Sequence, residues 1–236
     1  MSYLLSAFLQ PSTKLSEELE RDFLRCVDRY IDIFPLELPM ARDRVQLLRN
    51  PDDLDRSQVP KEFGIRPDGL RIPLSSPKQD AKIVFLEADG LYIRSQIHIE
   101  LNNINPQVWS ADTLLNLVET FVGQISVEHA YFCERKQLGR DKYRARRCRL
   151  LNTSEVPLGV FWINFFSKRL VQNIGWRSIW KMKKLSPAVR NLPSGLLFAS
   201  QEEAFVRGRP ADEARLDQLE EALDYPSLIK RFPFVL

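Results

Sequence analysis

The sequence predicts an α+β fold, a single domain over residues 1–236 with a largely antiparallel sheet and helices packed on it. Three observations predict it. Residues 15–34 repeat apolar side chains at helical spacing, residues 81–101 read as two extended runs around an Asp-Gly turn, and "LGVFWINFF" (158–166) is apolar on both faces except at Asn164. The order helix, hairpin, helix, strand, strand, helix, strand, helix implies this class.

The first helix, "LSEELERDFLRCVDRYIDIF", has Ser16 as its cap and Glu17, Glu18 and Glu20 at the positive end of its dipole. Leu19, Phe23, Val27, Tyr30, Ile31 and Phe34 form one buried stripe, and Pro35 and Pro39 end the helix. From 51 to 79 the chain carries five prolines, two glycines and many polar residues, which reads as a long internal connection. The hairpin follows: "AKIVFLE", Ala88-Asp89-Gly90, then "LYIRSQIHIEL", with Leu91, Ile93, Ile97 and Ile99 on one face. Ser110 starts a helix whose inward stripe is Leu114, Leu117, Val118 and Phe121. In the next strand, "ISVEHAYFC", period-two spacing puts Ile125, Val127, His129 and Tyr131 on one face.

"LGVFWINFF" reads as a central strand covered on both sides, with Phe161, Trp162, Ile163 and Phe165 in the core and Asn164 meeting a buried polar need. "SKRLVQNIG" is a short helix capped by Ser167 and ended by Gly175, and "GLLFAS" is another buried strand. The last helix, "PADEARLDQLEEAL", opens on proline and turns Leu216, Leu219 and Leu223 inward. Trp176 and Trp180 stand among cations beyond the strand, where an exposed tryptophan would serve as an interface anchor.

With 236 residues, 44% hydrophobic and 28% charged, the composition is that of a soluble globular protein, and no apolar run approaches the ~18 residues of a membrane span. "MSYLLSAFLQPSTK" has no basic residue before its short apolar run, unlike a secretory signal. Cys26, Cys133 and Cys148 are irregularly spaced, which suits a reducing compartment, so the expected localisation is cytoplasmic.

Enzyme motifs are lacking: no GxSxG, P-loop, GxGxxG or HExxH occurs. His98 and His129 fall on strands. His129 and Cys133 share a strand face but stand about 13 Å apart along it, too far to form a thiol–imidazole pair. Glu87, Asp89 and Glu100 match no metal-loop spacing. The expectation is a chain that is no enzyme, with no catalytic residues, metal or cofactor.

Charge is segregated. "RKQLGRDKYRARRCR" (135–149) has eight basic residues against Asp141, and 167–190 has seven with no acid. Residues 17–55 hold eleven acids against six cations, and 202–224 hold eight against three. The basic runs, interleaved with Tyr143, Trp176 and Trp180, would suit nucleic acid; a net charge of only +3 and the lack of a binding motif disfavour that reading. The acidic segments would instead dock on a basic protein. Either would also be an ordinary solvated face.

The succession "VPLGVFWINFFSKRLVQNIG", "LPSGLLFAS" and "RPADEARLDQLEEAL" resembles the immunity protein 52 family of bacterial polymorphic-toxin systems, over roughly Ser126 to Leu223. The resemblance implies a non-enzymatic protein that binds a cognate restriction-endonuclease-like toxin of a type VI secretion system, encoded by the adjacent gene, and prevents self-intoxication. A nuclease presents cations around its active site to hold phosphate, so carboxylates are the expected toxin-binding groups. The favoured set is Glu202, Glu203, Asp212, Glu213, Asp217, Glu220 and Glu221, ahead of Glu17, Glu18 and Asp22 on the first helix. A homodimer is compatible with the sequence; a membrane partner is not expected.

Overall fold

The computed structural model describes residues 2–10, 65–66, 69–73, 81–86, 95–101, 109–135, 137, 156–206 and 208–231, with single positions 13, 16, 18, 19, 22, 25 and 26. Its centre is an antiparallel sheet. The strands are β1 (Tyr3–Leu9), β2 (Ile65–Arg66), β3 (Gly69–Pro73), β4 (Ala81–Leu86), β5 (Gln96–Leu101), β6 (Val127–Glu134), β7 (Ile163–Ser167), β8 (Ala188–Leu192) and β9 (Gly195–Ala199). Their order across the sheet is β2-β3-β4-β5-β1-β6-β7-β9-β8, and every pairing between them is antiparallel. The α+β class read from the sequence is therefore the class of the fold.

The middle strand is β1, formed by the short apolar run near the amino end. All seven of its residues are buried, because "YLLSAFL" offers apolar or small side chains to both faces. Tyr3, Leu5 and Ala7 oppose Glu134, Phe132 and Ala130 on one face; Leu4, Ser6 and Phe8 oppose Cys133, Tyr131 and His129 on the other. On the first face Tyr3 stacks on Phe132 at 5.6 Å, and Trp109 meets both rings edge-on at 5.5 and 5.2 Å. Trp162 closes this group, and its Nε1 donates to the Gln201 carbonyl at 3.1 Å. Each such buried side chain contributes roughly 1.5–3 kcal/mol through removal of apolar surface from water.

Helix α1 (Ala111–Gln124) lies on that face. Arg190 shares a row of the sheet with Leu197, Phe165, Ala130 and Ala7, and it bonds Asp112, Asn116 and Glu119 of α1 at 2.8, 2.7 and 2.6 Å. The expected stripe Leu114, Leu117, Val118 and Phe121 is buried, and Ser110 caps the helix by accepting from the Thr113 N–H. On the opposite face Leu4, Phe8, Tyr131, Cys133, Leu158 and Phe161 form a smaller cluster.

Four sequence expectations need correction. First, Val127 and His129 do not share a face. The register shifts between Phe8 and Leu9, so Leu9 opposes Val127 while Phe8 opposes His129, and Glu128 is the extra residue of a β-bulge. Second, "LGVFWINFF" is a strand only from Ile163; Leu158–Trp162 form a buried arch before it. Asn164 explains why the arch is stable: its side chain accepts from Phe161 N–H at 2.8 Å and donates to the Phe161 carbonyl at 2.7 Å. Third, α2 (Lys168–Ile174), capped by Ser167 as expected, is followed at once by α3 (Trp176–Leu185), which the sequence reading did not separate. Gly175 permits this because its φ of 91° breaks one helix and starts the next. Fourth, "GLLFAS" is the second arm of a hairpin, with β8 before β9, and α5 (Tyr225–Arg231) follows α4 (Pro210–Leu223).

Of the first expected helix, Glu18, Leu19, Asp22, Arg25 and Cys26 are helical, and Ser16 caps it by accepting from the Leu19 N–H at 3.2 Å. In the hairpin, β4 pairs with β5 as expected, although β5 begins at Gln96; the Asp-Gly turn and most of the 51–79 connection lie outside the described residues. Among the described residues no helix is long and apolar enough to cross a membrane.

Candidate functional site

Both histidines sit on the sheet face of the smaller cluster. His98 on β5 is held from both sides: Nδ1 shares a hydrogen bond with Ser6 Oγ at 2.8 Å, and Nε2 one with Gln96 Oε1 at 3.0 Å. An amide oxygen only accepts, so Nε2 carries the proton and the Ser6 hydroxyl donates to Nδ1. Burial pushes the His98 imidazole down to about 4, the nearby Glu100 opposing the shift. A serine hydroxyl on an unprotonated imidazole is chemically a nucleophile–base pair, but Ser6 is fully buried and closed to a substrate.

His129 is packed among Phe8, Tyr131 and Phe166, with ring centroids 5.3–6.1 Å away, and neither ring nitrogen has a hydrogen-bond partner among the described residues. Burial alone pushes it down to about 3, so it stays neutral. Cys133 is a buried member of the smaller cluster. Among the described residues no group of three His, Cys, Asp or Glu side chains could hold a metal ion; Glu87 and Asp89 lie outside them.

The seven acids singled out near the carboxy end divide into two kinds. Asp212 is buried and accepts from the Val206 N–H at 2.8 Å, fixing the loop that leads into α4. Glu220 is half-buried and accepts from the Val160 N–H at 3.5 Å, tying α4 to the arch, and Glu213 accepts from Gly208 N–H at 3.3 Å. These carboxylates serve the chain's own backbone. Glu202, Glu203, Asp217 and Glu221 are exposed, with Glu203 paired to Arg209 at 3.4 Å. A polar outward face on the last helix was legible; which acids the fold itself consumes was not.

Of the basic run 135–149, only Arg135 and Gln137 are described, and Arg135 pairs with Glu100 at 3.2 Å. The run 167–190 is spread over several elements. Arg190, on β8, is taken up by Asp112, Asn116 and Glu119 of α1, and Lys183 donates to Asn191 Oδ1 at 2.6 Å. Arg177, Lys181 and Lys184 remain exposed on α3 beside two tryptophans. Trp176 is 74% and Trp180 53% exposed, the only large apolar side chains so placed among the described residues. They stand four residues apart and so lie on one helix face. Lys184 Nζ lies 3.6 Å over the Trp180 ring and the Arg177 guanidinium 5.4 Å over Trp176.

Helix α3 packs against α4; Ile179 and Met182 are buried on the first, and Leu216, Leu219 and Ala222 on the second. Arg215 donates to the Leu185 carbonyl and the Ser200 carbonyl, which clamps the end of α3 to α4 and β9. Between the helices runs an open groove of about 380 Å³, lined by Lys181, Lys184 and Leu185 from α3 and by Gln218, Glu221 and Ala222 from α4. A cationic helix face and an acidic one thus lie side by side, with indoles along the cationic edge.

No family model matches the chain, and no curated protein matches it in sequence. Among solved structures it is similar to the Pseudomonas aeruginosa T6SS protein PA0821. The TM-score is 0.55 at 12% identity, and the match covers 94% of this chain and 72% of that one. The likeness is one of fold.

Proposed function

We propose that this chain is an immunity protein that binds a nuclease toxin of a type VI secretion system and neutralises it stoichiometrically, without catalysis of its own. The observation that carries the reading is the fold likeness to a T6SS protein across 94% of the chain. The resemblance of 126–223 to the immunity protein 52 family supports it from the sequence. The exposed carboxylates suit the task, since Glu202 and Glu203 project from the loop after β9 where they would steer association with a cationic nucleic-acid groove. A nucleic-acid-binding reading draws on Trp176, Trp180 and the α3 cations, which resemble a stacking platform; Asp217 and Glu221 on the adjoining helix repel phosphate and weigh against it.

The test is co-expression with the product of the adjacent gene, followed by co-purification and a survival assay. Wild type is expected to co-purify and protect. Glu202→Lys with Glu203→Lys, both solvent-exposed, is expected to slow association and weaken protection most at low salt. Failure of wild type to bind or protect refutes the proposal. Unchanged protection by a folded double variant moves the interface elsewhere.

A further inference from the structure

The geometry points to the α3–α4 face as a self-complementary surface through which two copies of this chain associate, about a twofold axis running along the groove. The groove has cations on one bank, Lys181 and Lys184, and Gln218 and Glu221 on the other. Asp217 is exposed one turn before Glu221, and Arg177 and Trp180 are exposed one turn before Lys181 and Lys184. Rotation by half a turn about an axis parallel to the groove exchanges its banks. Each α3 then lies over the partner's α4, so Lys181 and Lys184 of each copy oppose Glu221 and Asp217 of the other. One surface satisfies itself twice, as an isologous contact requires.

The alternating signs also select among partners. A polyanion, whether nucleic acid or an anionic membrane, is attracted by α3 but repelled by α4 immediately beside it. A nuclease's cationic groove has the opposite conflict. A second copy has neither, because it brings the same two stripes in exchanged order.

The indoles supply apolar area to match. Four of them, at the exposures of Trp176 and Trp180, would bury roughly 500 Å², about half of the ~1,000 Å² a specific interface needs. Trp180 already borders the groove, since Lys184 both lines it and covers the ring. Across the axis it meets the partner's α4, where exposed aromatic anchors beside cations are the usual hot-spot chemistry.

Sedimentation velocity on the full chain tests this, over a concentration series from about 0.05 to about 0.5 M salt. A monomer–dimer equilibrium that weakens with salt is expected. Lys181→Glu with Lys184→Glu should raise the dissociation constant about tenfold or more, and so should Asp217→Lys with Glu221→Lys. Combining all four substitutions exchanges the banks and should restore dimerisation to within about threefold of wild type. Trp176→Ala with Trp180→Ala, at exposed positions, should weaken the dimer about tenfold or more and provides a reading independent of any charge variant that fails to fold. A wild type that stays monomeric throughout the micromolar range overturns the inference. Binding of that monomer to a single-stranded oligonucleotide or to anionic vesicles would hand α3 to those partners instead. A dimer indifferent to all of these substitutions overturns it as well, since its interface then lies on another face.

Discussion

His129 offers the sharpest physical test of the core. Its imidazole is fully buried against Phe8, Tyr131 and Phe166, with both nitrogens lacking hydrogen-bond partners, and burial lowers it from 6.5 to about 3. Between those values the unfolded chain binds a proton that the folded one refuses. Stability from this group is therefore fully present above pH 6.5 and falls as the pH drops towards about 3. At pH 5 the linkage amounts to about 2 kcal/mol. His129→Phe removes the titration and the two orphaned nitrogens while keeping a flat ring in the aromatic pocket. At neutral pH it should stabilise the fold by about 1 kcal/mol or more, because an unpaired buried polar group costs ~1–3 kcal/mol. Going from pH 7.5 to pH 5, its advantage should grow by about 2 kcal/mol, or about 0.7 M in urea midpoint for a slope near 3 kcal/mol/M. Urea titrations at the two pH values, followed by tryptophan fluorescence, measure this. His98, lowered to about 4 with the same sign, is present in both proteins and drops out of the difference. A variant that loses stability in parallel with wild type, or is weaker at pH 5, refutes the assignment.

Two further predictions concern the arch and the approach of β9 to β7. Asn164→Ala removes the two hydrogen bonds that the amide makes to the Phe161 backbone in a fully buried site, so it should cost about 2–4 kcal/mol in chemical denaturation; a loss under 1 kcal/mol would show that the arch does not depend on this bracket. Gly195→Ala should cost more than about 3 kcal/mol or abolish soluble expression, because a Cβ there would stand 2.0 Å from the Phe166 carbonyl oxygen and 2.9 Å from Ser167 Cα, both of which are backbone atoms. Normal melting of that variant would mean the β7–β9 approach is looser than the structure has it.

Much of the architecture follows from local pattern. Ser110 and Ser167 with their helices, the inward stripe Leu114–Phe121, the leucines of α4 and the extended runs of β4 and β5 are written in spacing, capping and turn chemistry. These depend on a few neighbouring residues, so the sequence by itself determined them, and with them the α+β class. The segregation of charge and the two tryptophans among cations were also visible in advance.

Only the tertiary structure decided what each of those features does. β1 is central because strands distant in sequence close on both of its edges, which no local window records. The bulge at Glu128 sends Val127 and His129 to opposite faces although their spacing says otherwise. Glu220 is drawn inward by the backbone N–H of Val160, sixty residues away, which only the fold brings near, and Asp212 by that of Val206 in the preceding loop, whereas Glu202, Glu203, Asp217 and Glu221 are exposed. Likewise α3 shows its indoles to solvent while Ile179 and Met182 are buried. Periodicity specifies that a helix has two faces; which of them is covered depends on the elements that long-range packing places against it.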